Sequence, residues 1–102
     1  MKIKRFENIS EGPKVGDYVI CEEGNLNFKD FIESNIGVIY KEDTFRNNKY
    51  YVKYKNIPIN VKKGFIRIDN ANVRVMYLDE ILHFSSNKEE LESILVSKKY
   101  NL

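Results

Sequence analysis

Apolar and polar positions alternate most clearly between Ile36 and Lys55, IGVIYKEDTFRNNKYYVKYK, and this stretch predicts two strands joined by a polar turn. Ile36 to Tyr40 is β-branched and aromatic, the composition that suits a pleated, half-buried surface. In the second strand Tyr50, Val52 and Tyr54 fall on one face and Tyr51, Lys53 and Lys55 on the other, because side chains alternate across a strand. Residues 42–49 have turn chemistry, with Asn47-Asn48 able to take positive φ. A slip of one residue would send Val52 outward and Lys53 inward, so the pairing register is well specified. The same patterning predicts strands at Val15–Cys21, Phe65–Ile68, Val73–Tyr77 and Glu80–Phe84, with a hairpin turn at Asp69-Asn70-Ala71-Asn72. Residues 1–14 read as a polar lead-in with room for a short edge strand around Ile3. Pro58 cannot donate to a ladder and belongs at an edge or outside the sheet.

Two stretches change period. Phe28, Phe31 and Ile32 have i, i+3, i+4 spacing, which predicts a short helix over Asn27–Asn35 with Asn27 as its cap. Its aromatics would close the top of the core. Ser86-Asn87-Lys88-Glu89 has the form of a capping box, and Leu91, Ile94 and Leu95 make an apolar stripe behind it, so a helix is predicted over about 87–99. Glu89 and Glu90 at its start and Lys98 and Lys99 at its end suit the helix dipole. A helix of this length is marginal alone, so the stripe must pack on something, and the open end of a small barrel is the expected place.

The predicted fold class is mainly β with a C-terminal helix, arranged as one domain over residues 1–102 with core strands at about 15–84. The series Val15-Gly16-Asp17-Tyr18-Val19, Ile36-Gly37-Val38-Ile39 and Tyr50-Tyr51-Val52-Lys53-Tyr54 resembles SH3-like barrels of the Tudor and KOW type. The resemblance covers residues 15–55. It implies a small antiparallel SH3-like β-barrel with a short helix in the first long loop, and a binding role, but it transfers no functional residue. A methyl-lysine reader of that type would need Tyr18, Tyr40 and Tyr51 to converge as an aromatic cage.

Composition narrows the function. The chain has 17 Lys+Arg against 15 Asp+Glu, so the net charge is only +2, and nothing global demands nucleic acid or a membrane. No apolar run reaches the roughly 18 residues of a membrane span. The basic start, Met1 to Arg5, leads into Glu7-Asn8 rather than an apolar stretch, unlike a secretory signal. One Cys excludes an internal disulfide and a cysteine-rich zinc site, which fits a reducing, cytoplasmic setting. The abundance of Asn, Lys, Ile and Tyr is common in AT-rich genomes, bacteriophages among them, and fits a phage or mobile-element accessory or host-modulating factor.

Candidate chemistry is sparse. Cys21 and His83 are the sole residues of their kinds, and each is better explained as a buried thiol and a structural imidazole than as a catalytic pair. Glu22-Glu23 and Asp79-Glu80 are neighbours that point apart on strands and read as solvated rim charges. There is no phosphate loop, zinc motif or dinucleotide fingerprint, so neither a cofactor nor enzymatic activity is expected. The one charge asymmetry lies between Arg46 and Lys63: Arg46, Lys49, Lys53, Lys55, Lys62 and Lys63, with Tyr51 among them and no acid. Lysines beside a stacking ring suit RNA or a single strand, while lysines on edge strands also block aggregation. The first expectation is therefore a non-enzymatic module that binds another protein. The second is binding of RNA or single-stranded nucleic acid through residues 46–63, and the third is a small enzyme using Cys21 and His83.

Overall fold

The computed structural model describes residues 12–43 and 49–100. The elements run β1 (Tyr18–Cys21), α1 (Leu26–Ser34), β2 (Gly37–Asp43), β3 (Lys49–Lys53), α2 (Ile59–Lys62), β4 (Ile66–Ile68), β5 (Ala71–Tyr77), a 3-10 turn (Leu78–Glu80), β6 (Ile81–Ser85) and α3 (Lys88–Tyr100). The strands form one antiparallel sheet in the order β4-β5-β3-β2-β1-β6. The mainly β class and the C-terminal helix are as the sequence predicts. Closure into an SH3-like barrel is not. Among the described residues β4 pairs only with β5 and β6 only with β1, so the sheet is open at both edges. The reason is local: β4 is three residues long and follows α2 within a few residues, which leaves no ladder to reach across to β6.

Alternation sets the core. Ile39 lies opposite Val52, Tyr50 lies opposite Met76, and all four are buried on one face with Val19 and Cys21 from β1. The other face of β3 carries Tyr51 and Lys53, which stay partly open to solvent. Lys55 lies beyond the end of β3 and is exposed. From α1, Ile32 enters the cluster and Phe28 and Phe31 pack against it. Phe31, Tyr54 and Phe65 form a triangle of tilted and edge-on rings 5.7–6.2 Å apart. Offset aromatic geometry of this kind adds to the area that the rings bury.

Ile20 is also buried although it faces away from Val19 and Cys21, so β1 is covered on both sides. The second cover is α3, which packs on β1 and β6 and buries Leu91. The helix therefore lies over one end of an open sheet rather than in a barrel mouth.

Both caps fall one or two residues from their predicted places. Asn25, in extended conformation, accepts the Asn27 amide at 2.9 Å and starts α1 at Leu26. At α3 the Asn87 side chain accepts the Glu89 amide at 2.9 Å. Ser85, not Ser86, supports it by accepting the Asn87 amide at 2.9 Å and donating to Glu90 at 2.6 Å. The β4–β5 hairpin turns on Asp69 and Asn70, both at positive φ (49° and 68°), as a two-residue type I′ loop requires. Pro58 lies outside the sheet and opens α2. The predicted turn around Asn47-Asn48 and the lead-in around Ile3 fall outside the described residues.

Gly37 is where β2 passes under the core rings. A methyl there would meet Val52 Cγ1 and lie 2.8 Å from Tyr54 Cζ. Gly37→Ala should destabilise by about 1–3 kcal/mol through overpacking, read as a lower urea midpoint at unchanged slope.

Candidate functional site

Three of the predicted basic residues come together. Lys53 at the end of β3, Lys55 in the loop after it and Lys62 at the end of α2 line one depression of about 520 Å³. Asn56, Asn70 and Asn72 complete its polar lining, with Tyr54, Ile57 and Ala71 at its floor and sides, and no lining residue is acidic. The local fold explains the gathering. The chain leaves β3, reverses through Asn56 at a positive φ of 55°, and enters α2 at Pro58, which brings Lys62 back towards Lys53 and Lys55. The Asp69-Asn70 turn closes the other side.

The remaining predicted residues have different fates. Lys63 is exposed beside Lys62 but does not line the depression. Lys49 is at the far end of β3, opposite Asp43, with its ammonium 5.8 Å from the Tyr51 ring centroid. The acids of β2, Glu42 and Asp43, flank that end, so it is less attractive to an anion than the Lys53 end. Arg46 lies outside the described residues.

Tyr40 was not among the predicted site residues. A bulge between Ile39 and Lys41 interrupts the β2–β3 register at this position. Bulges commonly re-aim a side chain. The Tyr40 hydroxyl donates to Asp69 at 2.7 Å, and that bond pushes its phenol pKa up. Since β3 alone lies between β2 and β5, the strand that leaves the β4–β5 turn, the side chain spans β3 to reach its partner. Lys53 Nζ sits 5.8 Å from its ring centroid. An exposed cation–π contact of this kind contributes about 0.5–1 kcal/mol. Tyr40 and Tyr51 thus face different lysines, and Tyr18 stands on β1 opposite Val38 and Ser85, so the three tyrosines do not build one cage.

A second group escaped the sequence reading. Glu23 is not a solvated rim charge: it is 8% exposed and holds Arg74 through two bonds, Nε to Oε1 at 2.8 Å and Nη2 to Oε2 at 2.9 Å. Arg74 also donates to the Gly64 carbonyl at 2.7 Å and stacks 4.4 Å from the Phe28 centroid. Glu23 accepts the Asn25 amide at 3.1 Å, while its own amide donates to Glu33 at 3.0 Å. Burial pushes the Glu23 carboxyl up, but the Arg74 and Asn25 hydrogen bonds outweigh it and hold the group below the usual carboxylate range. One signal could have found the pair: Arg74 has the parity of Met76, on the core face of β5, where a charge requires a partner.

Cys21 is fully buried, and burial pushes its thiol up to about 12. It therefore carries almost no nucleophilic thiolate at neutral pH. Tyr54 Oη is buried near it without a well-formed hydrogen bond. Cys21 faces the core opposite Ile81, whereas His83 lies opposite Ile20 on the other face, so the two do not form a dyad. Glu80 accepts the Tyr77 amide at 2.9 Å, and Glu22 and Asp79 are exposed. Among the described residues no cluster of three His, Cys, Asp or Glu side chains could hold a metal ion.

A groove of about 580 Å³ runs between α1 and α3, where Lys29, Asp30, Glu33 and Lys98 mix both signs beside Leu95 and Val96. The Lys29–Glu33 pair within it is 2.9 Å apart. Among the described residues no helix is long and apolar enough to cross a membrane. Compared with known proteins, the chain matches no family model, no curated protein and no solved structure.

Proposed function

We propose that this chain is a non-catalytic, intracellular binding module that holds single-stranded nucleic acid at the Lys53–Lys55–Lys62 depression. One observation carries the reading: lysines from a strand end, a loop and a short helix gather around one hollow with asparagines and no acid. Such a hollow attracts phosphates, and asparagine amides can bond both phosphate oxygens and base edges. Neutralising about three phosphates of a single strand gives a log–log salt slope near −2, so affinity should fall about 20-fold between 50 and 200 mM salt. Fluorescence anisotropy with short RNA and DNA oligonucleotides measures this. Lys55→Glu and Lys62→Glu should each weaken binding and flatten the salt slope, while Lys29→Glu, in the α1–α3 groove, should leave it unchanged. Absence of binding to any oligonucleotide at low salt overturns the reading.

A protein partner is the second reading, favoured by the edge of β4. Its outer ladder is unpaired among the described residues, and Ile66 is 49% exposed. An extended peptide could add there as a further strand. A pull-down run with and without nuclease separates the two readings, since only a protein contact survives digestion.

A further inference from the structure

We propose that Tyr40 is the base-stacking platform of this interface, so that the ligand is a strand with unpaired bases rather than a duplex or a bare polyanion. The proposal rests on the nucleic-acid reading above and adds what the lysines alone would not discriminate. Two links tie Tyr40 to the depression. Lys53 both lines the hollow and places its ammonium 5.8 Å from the Tyr40 centroid. Asp69, which accepts the Tyr40 hydroxyl at 2.7 Å, adjoins Asn70, which also lines the hollow.

The tether holds the ring across β3 instead of leaving it free to rotate, so a base that stacks on it encounters a platform already ordered. The phenol orients the Asp69 carboxylate without cancelling its charge, so the phosphates of the strand are expected on the Lys53 side of the ring. The ammonium of Lys53 competes weakly for the ring, because an exposed cation–π contact is worth less than base stacking. Once a base takes the ring, Lys53 is released to the adjoining phosphate. Tyr51 is less suited, since its lysine, Lys49, stands opposite Asp43 and next to the register position of Glu42.

The test compares a thymidylate decamer with an abasic decamer carrying the same phosphates. Wild-type protein should bind the thymidylate strand about 10-fold more tightly, in line with one stacked base. Tyr40→Leu should erase that preference, read as the ratio of the two affinities within the variant, and Tyr40→Phe, which keeps the ring, should retain most of it. Equal wild-type affinity for the two strands overturns the stacking proposal while leaving the lysine site standing, and it does so even if Tyr40→Leu fails to fold. A preference that persists in Tyr40→Leu also overturns it. Failure to bind either strand at low salt overturns both this proposal and the interface reading beneath it.

Discussion

Arg74→Ala should cost the fold about 3 kcal/mol, the lower end of what breaking a buried ion pair costs, because the guanidinium keeps some contact with solvent. The substitution strands the Glu23 carboxylate, which is among the most enclosed charges of the described residues, and leaves the Gly64 carbonyl without its donor. It also removes the cation stacked on Phe28, whose ring in turn covers Gly64. Urea denaturation should show a lower midpoint. Replacing both partners, Arg74→Met with Glu23→Leu, should recover only part of the loss, since the Gly64 carbonyl still lacks its donor and the Asn25 amide then loses its acceptor as well. The pH dependence has a definite sign. Glu23 is held below its unfolded pKa of about 4.3, so its contribution is complete above about pH 5 and is lost as pH falls through the folded value. Glu33, drawn down by the Glu23 amide and by Lys29 against the effect of burial, acts in the same direction. Wild-type stability should therefore fall on acidification below about pH 5, and Arg74→Ala should show a shallower fall. Equal slopes in the two proteins would show that the pair is not linked to acid stability.

Leu91→Ala should cost about 3 kcal/mol, in the range of buried leucine truncations. Leu91 is 2% exposed, and α3 has 13 residues, too few to hold helical structure without its packed face. Leu95, half-buried at the rim of the groove with α1, should cost about 1 kcal/mol on the same change. Because α3 packs on β6, an edge strand, hydrogen exchange should report the same loss locally: amides of β6 should exchange faster in Leu91→Ala than those of β3. Uniform acceleration across all strands would mean that α3 and the sheet unfold only as one unit.

The parts of this fold that were legible in the sequence are those set by neighbours along the chain. Tyr50, Val52 and Tyr54 point inward and Tyr51 and Lys53 outward because alternation leaves no other choice once one face is buried. The Asp69-Asn70 turn was legible because few residues tolerate two successive positive φ values. What was not legible depends on the path through space. That the β6 edge does not close onto β4 follows from the shortness of β4 and from where α2 and the 3-10 turn leave the two edges, which no local period reports. Glu23 and Arg74 are 51 residues apart, and only parity hinted that Arg74 needed a partner. Tyr40 was missed as a site residue because a bulge is invisible to a strict period of two. The caps moved because Asn25 and Asn27, like Ser86 and Asn87, are equally good capping residues; backbone geometry chose between them.

The depth at which Cys21 sits has a practical use. With its sulfur sealed in the interior and held as a neutral thiol, maleimide chemistry on the folded protein should be silent. A cysteine introduced at an exposed position such as Asn60 would then be the one address for a fluorophore or spin label. Distances to a labelled oligonucleotide could be measured from there without first altering the core.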